Sequence, residues 1–281
     1  MVGAVGTFVL MDTCAKYLSQ WYAPAFIVWA RYASNLAILL AFLAARGELG
    51  RLRSERPGLQ FARGLLLALA TLIFFTSLSV LPLADANAIS FVMPLFVAAL
   101  AVPILGERLE MPRLLAILAG LAGALVIVRP GSDLFTPYAL LPLGMALCNA
   151  LYQILTRKVA GLEHPYTSLV WGALVGAVLL SLVAPFVWSA PQAAHHGVLI
   201  VVIGVLASLG HWLLIKAYDH ASATLLAPYT YSALVWAMLL GWLVFGDFPD
   251  GWSLLGMGII VCAGLYLANR QRFAVRRSAA G

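Results

Sequence analysis

TLIFFTSLSVLPLADANAISF, residues 71–91, aligns without a gap on HWLLIKAYDHASATLLAPYTY, residues 211–231, at an offset of 140. At the same offset ILGERLEMPRLL (104–115) falls on VFGDFPDGWSLL (244–255), which sets Gly106-Glu107 against Gly246-Asp247. Close by, at 141, AKYLSQWYAP (15–24) falls on TRKVAGLEHP (156–165), with Pro24 on Pro165. Unrelated apolar helices also align somewhat, but they do not share one offset at several motifs. The chain therefore reads as two related halves, 1–130 and 131–270, followed by a basic tail, 271–281.

The composition says where those halves live. Of 281 residues, 63% are hydrophobic and only 10% are charged, whereas soluble domains carry roughly 25% charge. Too few charges remain to dress a water-facing surface, so lipid is the solvent. A spanning helix needs roughly 20 apolar residues. We expect ten, at 3–22, 25–45, 61–81, 85–104, 113–129, 138–157, 166–186, 198–217, 223–245 and 252–268. The runs are too long and too evenly apolar for alternating barrel strands. The start, MVGAVGTFVLMD, has no basic leader region and runs on to spanning length, so no cleaved signal peptide is expected.

Lysine and arginine set the orientation. Arg46, Arg51, Arg53, Arg56, Arg63, Arg108, Arg113, Arg157, Lys158, Lys216, Arg270, Arg272, Arg276 and Arg277 fall on one side of these spans. Arg129 alone falls on the other, and Lys16 and Arg31 lie within spans. The positive-inside rule puts the rich side, with both termini, in the cytoplasm. The same distribution explains the basic balance without nucleic acid. Five spans per half is an odd number, so the second half enters from the opposite side. The expected fold is an all-α polytopic membrane protein, ten transmembrane helices in two inverted five-helix repeats. Such repeats are frequent in secondary transporters.

RGLLLALATLIFFTSLSVLPLADANAISFVMPLFVAALAVPILGERL (63–109), GLAGALVIVRPG (120–131) and LLAPYTYSALVWAMLLGWLVFGD (225–247) carry a resemblance over nearly the whole chain. It is to the drug/metabolite transporter superfamily, in particular its ten-helix EamA group. The resemblance implies a central cavity among spans 1, 3, 4, 6, 8 and 9. Spans 2 and 7 would act as gates, with spans 5 and 10 at the periphery. The group includes exporters of amino acids, aromatic ones among them, and importers of other metabolites. The implied function is export of small metabolites, amino acids first, by alternating access in a bacterial inner membrane; separately, a monomer is one expectation for the chain, whose sequence leaves the oligomeric state open. The alternative is uptake of a metabolite such as S-adenosylmethionine.

The residues offer several candidates. Asp12 and Lys16 are one helical turn apart on one face. A lone charge at mid-membrane costs about 2.5–3.5 kcal/mol on insertion scales, which pairing offsets. Two readings stay open: a pair that only steadies the bundle, and a cavity pair that contacts a zwitterion or lets Asp12 carry a proton. Arg31, at similar depth, is expected to reach the outer headgroups. The other option is that it joins the pair, leaving one positive charge suited to a carboxylate. In the second half Asn149 and Gln153 replace the pair, as helix glue or as substrate contacts. His211 is a packing residue or, after Asp12, the second proton candidate. Pro228 should kink span 9, with Tyr229, Tyr231 and Ser232 either in an interface belt or facing an aromatic, polar ligand. Pro94 gives a matching break, preceded by Ser90 and Phe91. Thr71 and Phe75 share a face of span 3. Gly106-Glu107 and Gly246-Asp247 are expected to end helices and not to bind substrate.

Other chemistries lack their signatures. Cys14, Cys148 and Cys262 are far apart, with no CxxC or Cys/His spacing to imply a metal or a disulfide. No HExxH, GxGD, GxSxG or GxxxxGK[ST] sequence occurs, so neither an intramembrane enzyme nor ATP-driven transport is indicated. No cofactor is expected.

Overall fold

The computed structural model describes residues 1–105, 111–129, 136–159, 162–220, 226 and 229–278. Gly106-Glu107 and Pro228 lie outside them. The described chain is all helical: α1 (Val2–Leu18), α2 (Pro24–Ala45), α3 (Pro57–Leu78), α4 (Leu83–Ser90), α5 (Met93–Leu105), α6 (Met111–Val128), α7 (Leu140–Val159), α8 (Pro165–Val187), α9 (Ala194–His220), α10 (Ser232–Leu240) and α11 (Gly251–Ser278). Among the described residues, five helices are long and apolar enough to cross a membrane. With the shorter apolar helices they make an all-α polytopic membrane protein of about ten spans.

Proline positions the starts. Pro24, Pro57 and Pro165 each occupy the first turn of a helix, where the missing amide costs nothing. Starting α3 at Pro57 moves Arg63 out of the expected loop. It is buried, donates from Nε to Thr156 Oγ1 at 2.9 Å and lies over the Tyr152 ring. The fourth span is broken. Pro94 has no amide for the Ser90 carbonyl, so α4 ends at Ser90 and α5 restarts at Met93. Helix α10 ends in a wider π-helical turn, Gly241–Phe245, closed by Gly246 at φ 76°. A left-handed glycine is the usual helix stop. The last helix runs on through Ser278, so much of the basic tail is a continuation of it.

The packing pairs come in twos. Helix α1 lies on α9 as α7 lies on α3; α2 lies on α9 as α8 lies on α3; α1 meets α10 as α7 meets α5. The α2–α8 and α6–α11 pairs are their own counterparts. A five-helix unit used twice produces this pattern. In lipid, close backbone packing replaces the hydrophobic effect between helices. Helices α6 and α11 show it most directly. A Cβ added at Gly123 would come 2.9 Å from the Gly256 carbonyl oxygen, and one at Gly256 would come 2.6 Å from that of Gly123.

The bundle has two ends. One, the first-loop end, carries residues 19–23, 79–82, 188–193 and 246–250. Here Tyr22 Oη meets His196 Nδ1 at 3.0 Å and accepts from the Gln192 amide at 2.8 Å, within an aromatic cluster of Trp21, Phe26, Trp29 and Trp188. At the opposite end, Glu163 accepts from Ser54, Gln60 and the Arg56 amide.

Candidate functional site

At mid-depth the helices leave a cavity of about 290 Å³. Asp12 lies about 9 Å along α1 from its first-loop end and Arg31 about 10 Å along α2, at 1.5 Å per residue. Both line the cavity with Thr71 and Phe75 of α3, Ser90 at the break, Asn149 of α7 and His211 of α9. The break serves the cavity directly: Ser90, Phe91 and Met93 all face it. Non-helical backbone at membrane depth is tolerated where it is buried in protein or lines a cavity.

Thr71 is fully used. Its hydroxyl donates to the Leu67 carbonyl at 2.8 Å, so it can only accept from its other neighbours. It accepts from Arg31 Nη1 at 3.2 Å and from Tyr32 Oη at 3.0 Å, which exhausts its lone pairs. Arg31 lies against the Tyr32 and Phe75 rings. It is only 7% exposed, and its Nε has no hydrogen-bond acceptor. His211 lies 2.7 Å from the Ala207 carbonyl through Nδ1. A carbonyl only accepts, so Nδ1 carries a proton and Nε2 is the nitrogen left for other work. The ring stands edge-on to Phe8, 5.0 Å between centroids.

The expected Asp12–Lys16 pair is not formed. Lys16 Nζ donates to the Leu81 carbonyl at 2.7 Å and to that of Leu78 at 3.3 Å, and lies 3.9 Å from Asp247. The end of α3 offers unpaired carbonyls, which attract a cation. The i,i+4 partner cannot compete with a helix end and a carboxylate together. Arg31 also departs from expectation: it turns into the cavity and not to the headgroups. Gln153 is exposed and donates to the Met93 sulfur at 3.1 Å, beside the cavity but outside its lining. Tyr229 is exposed, Ser232 donates to the Tyr229 carbonyl, and Tyr231 stacks behind Phe91 at 5.1 Å. None of these three lines the cavity. Asn87, which the sequence reading passed over, does line it; it lies one turn before Ser90, a spacing that could have found it.

A second cavity of about 440 Å³ adjoins the first. Arg31, Leu67 and His211 belong to both walls. Its further lining is apolar and aromatic, with Tyr32, Phe42, Tyr152, Tyr166 and Trp212, and the Asn35–Ser208 hydrogen bond at 2.9 Å is among its few polar groups. It extends between α2, α8 and α9 toward the Glu163 end.

An apolar bundle around a mid-depth chamber lined by a few polar and ionisable side chains has the architecture of a membrane transporter of small molecules. The chain belongs to the EamA-like transporter family, which matches residues 1–129 and again 136–270. It is therefore a transporter of small metabolites and not an enzyme. It is 30% identical to an S-adenosylmethionine uptake transporter of Rickettsia conorii, over 95% of this chain and 90% of that one. It is 29% identical to a riboflavin transporter of Vibrio cholerae, over 99% and 94%. It is 30% identical to a pseudopaline exporter of Pseudomonas aeruginosa, over 95% and 93%. A solved crystal structure shares the fold, with a TM-score of 0.65 at 22% identity over 95% of this chain and 97% of that one.

Proposed function

We propose that this protein is a secondary transporter that exports amino acids, aromatic ones included, across a bacterial inner membrane by alternating access. The observation that carries this reading is the 290 Å³ chamber holding a carboxylate, a guanidinium and an imidazole. Ionisable groups at membrane depth mark a solute or proton path by default. The two five-helix units act as inverted repeats that rock about the chamber, with both termini cytoplasmic, as the arginine distribution favours. Asp12, Thr71, Phe75, Ser90, Asn149 and His211 form the substrate surface, and Asp12 and His211 are the proton carriers. Lys16, Gln153, Tyr229, Tyr231 and Ser232 act from outside it. The protein works as a monomer without a cofactor.

The Tyr22–His196 and Lys16–Leu81 ties support a chamber sealed at the first-loop end and entered from the cytoplasm, the side from which an exporter loads. A second reading, uptake of a larger metabolite such as S-adenosylmethionine, is favoured by the 440 Å³ cavity beside the chamber. The named relatives include both uptake and export proteins.

The deciding experiment is a substrate screen in proteoliposomes with and without an imposed pH gradient. Amino acids should exchange across the membrane and accumulate against their gradient when protons flow the other way. Transport of no amino acid under any condition would remove this substrate class. Accumulation of S-adenosylmethionine alone would install the second reading.

A further inference from the structure

We infer that Arg31 is the anchor for a carboxylate on the transported solute. The inference rests on reading the chamber as the solute site, and it adds the charge the solute must carry.

An arginine side chain stays protonated in any protein environment. A buried charge that is neither paired nor fully hydrogen-bonded is strongly disfavoured. Arg31 is nearly fully buried, yet among the described residues no carboxylate forms a salt bridge with it. Asp12 shares the chamber, near enough to feel the guanidinium's charge but beyond ion-pair distance, and the Tyr32 hydroxyl is a further neighbour. Thr71 supplies one acceptor and has no capacity for another. The Nε hydrogen therefore points at no acceptor, on the edge of the fork that matches a carboxylate oxygen.

The guanidinium is also held in place. Thr71 fixes Nη1 at 3.2 Å, and the Tyr32 and Phe75 rings flank the group at 4.9 and 6.0 Å. Arg63, buried to a similar degree, has hydrogen-bond partners in Thr156 and Gln60 and faces neither cavity. At Arg31 the unsatisfied donor sits on the wall common to both cavities.

The neighbours narrow the class. A phosphate would bring nearly two negative charges beside Asp12, with one guanidinium to meet them. A carboxylate brings one. Asp12 then suits an ammonium on the same molecule, and the aromatic cavity between α2, α8 and α9 suits an apolar body. The ligand class is an amino-carboxylate with an apolar or aromatic side chain, its carboxylate at Arg31 and its ammonium toward Asp12.

The test uses the full chain purified in detergent, with thermal stabilisation read against ligand concentration. The probes are L-phenylalanine, benzoate, benzylamine and benzyl alcohol. Benzoate and L-phenylalanine should stabilise the wild type, and the two carboxylate-free probes should not. Arg31→Gln should weaken carboxylate binding by about tenfold or more, the scale of losing a charged hydrogen bond. Arg31→Lys, which keeps the charge but not the fork, should weaken it less. If Arg31→Gln does not give a monodisperse protein, the wild-type probe series and Arg31→Lys decide.

Benzoate binding through Arg31 with no amino acid transported would sustain the anchor and reject the amino-acid reading above. Benzylamine or benzyl alcohol binding as well as benzoate, or carboxylate affinity unchanged in Arg31→Gln, would overturn the inference. So would a wild type that binds no carboxylate at all.

Discussion

The Lys16 ammonium donates to the Leu81 carbonyl oxygen at 2.7 Å, across a gap that separates α1 from the turn between α3 and α4. This one side chain joins three chain segments at the first-loop end, since Asp247 approaches it from beyond α10. We therefore expect Lys16→Met to loosen that end and leave the chamber's shape unchanged. Thermal stability in detergent should fall by about 1–3 kcal/mol, the cost of unpaired buried carbonyls. A cysteine placed at Ser79 should become more reactive toward a water-soluble thiol reagent. Unchanged melting and unchanged labelling would remove the tie from the closure of this end.

Asp12 is free of Lys16, so its removal should not disturb that tie. Asp12→Asn should abolish accumulation driven by a pH gradient while sparing passive exchange, if Asp12 is the proton carrier proposed above. The same vesicles report both rates. Equal loss of both, or of neither, would transfer the role elsewhere, with His211 next in line.

Glu163 lies in the loop before α8, outside the spans. Burial pushes its carboxyl up, but hydrogen bonds from Ser54, Gln60 and the backbone amides of Arg56 and Glu55 outweigh that and hold it below the ordinary 4.5. The folded value is depressed, so this contribution to stability is present above pH 4.5. It is lost as pH falls below 4.5 toward the lower folded value. Melting curves of wild type and Glu163→Gln should differ most at neutral pH and converge at low pH. Parallel curves across the range would contradict the network.

The α6–α11 crossing depends on Gly123 and Gly256, which bring backbone to within contact. Gly123→Leu should destabilise the protein by about 1–3 kcal/mol or more, as overpacking does. A conservative surface change on the same helix, Leu125→Val, should not, because Leu125 is 68% exposed. Equal melting temperatures for the two variants would show that the helices separate without cost.

The number of helices could be read from apolar length, and the proline starts from Pro24, Pro57 and Pro165. Span 4's break could be read from Pro94 because a missing amide acts locally. Side-chain direction was far less legible. A water-soluble helix separates polar from apolar faces, but α10 is apolar all round and lipid accepts either face. Nothing in TLLAPYTYSALVW therefore told whether Tyr229 and Ser232 face in or out. Lys16 was misjudged for a related reason: its partners are backbone carbonyls of Leu78 and Leu81, which carry no sequence signature. Arg31 could have gone to headgroups or inward, and the choice depended on Thr71, forty residues away on another helix.

The wall that Arg31, Leu67 and His211 share between the two cavities has a kinetic consequence. If Arg31 anchors the solute as inferred above, whatever passes between the two cavities must let go of the group that grips it hardest. Residence and turnover then oppose one another at a single checkpoint. Variants selected for tighter retention there should be slower carriers, and the fastest carriers should be those that hold their cargo only loosely.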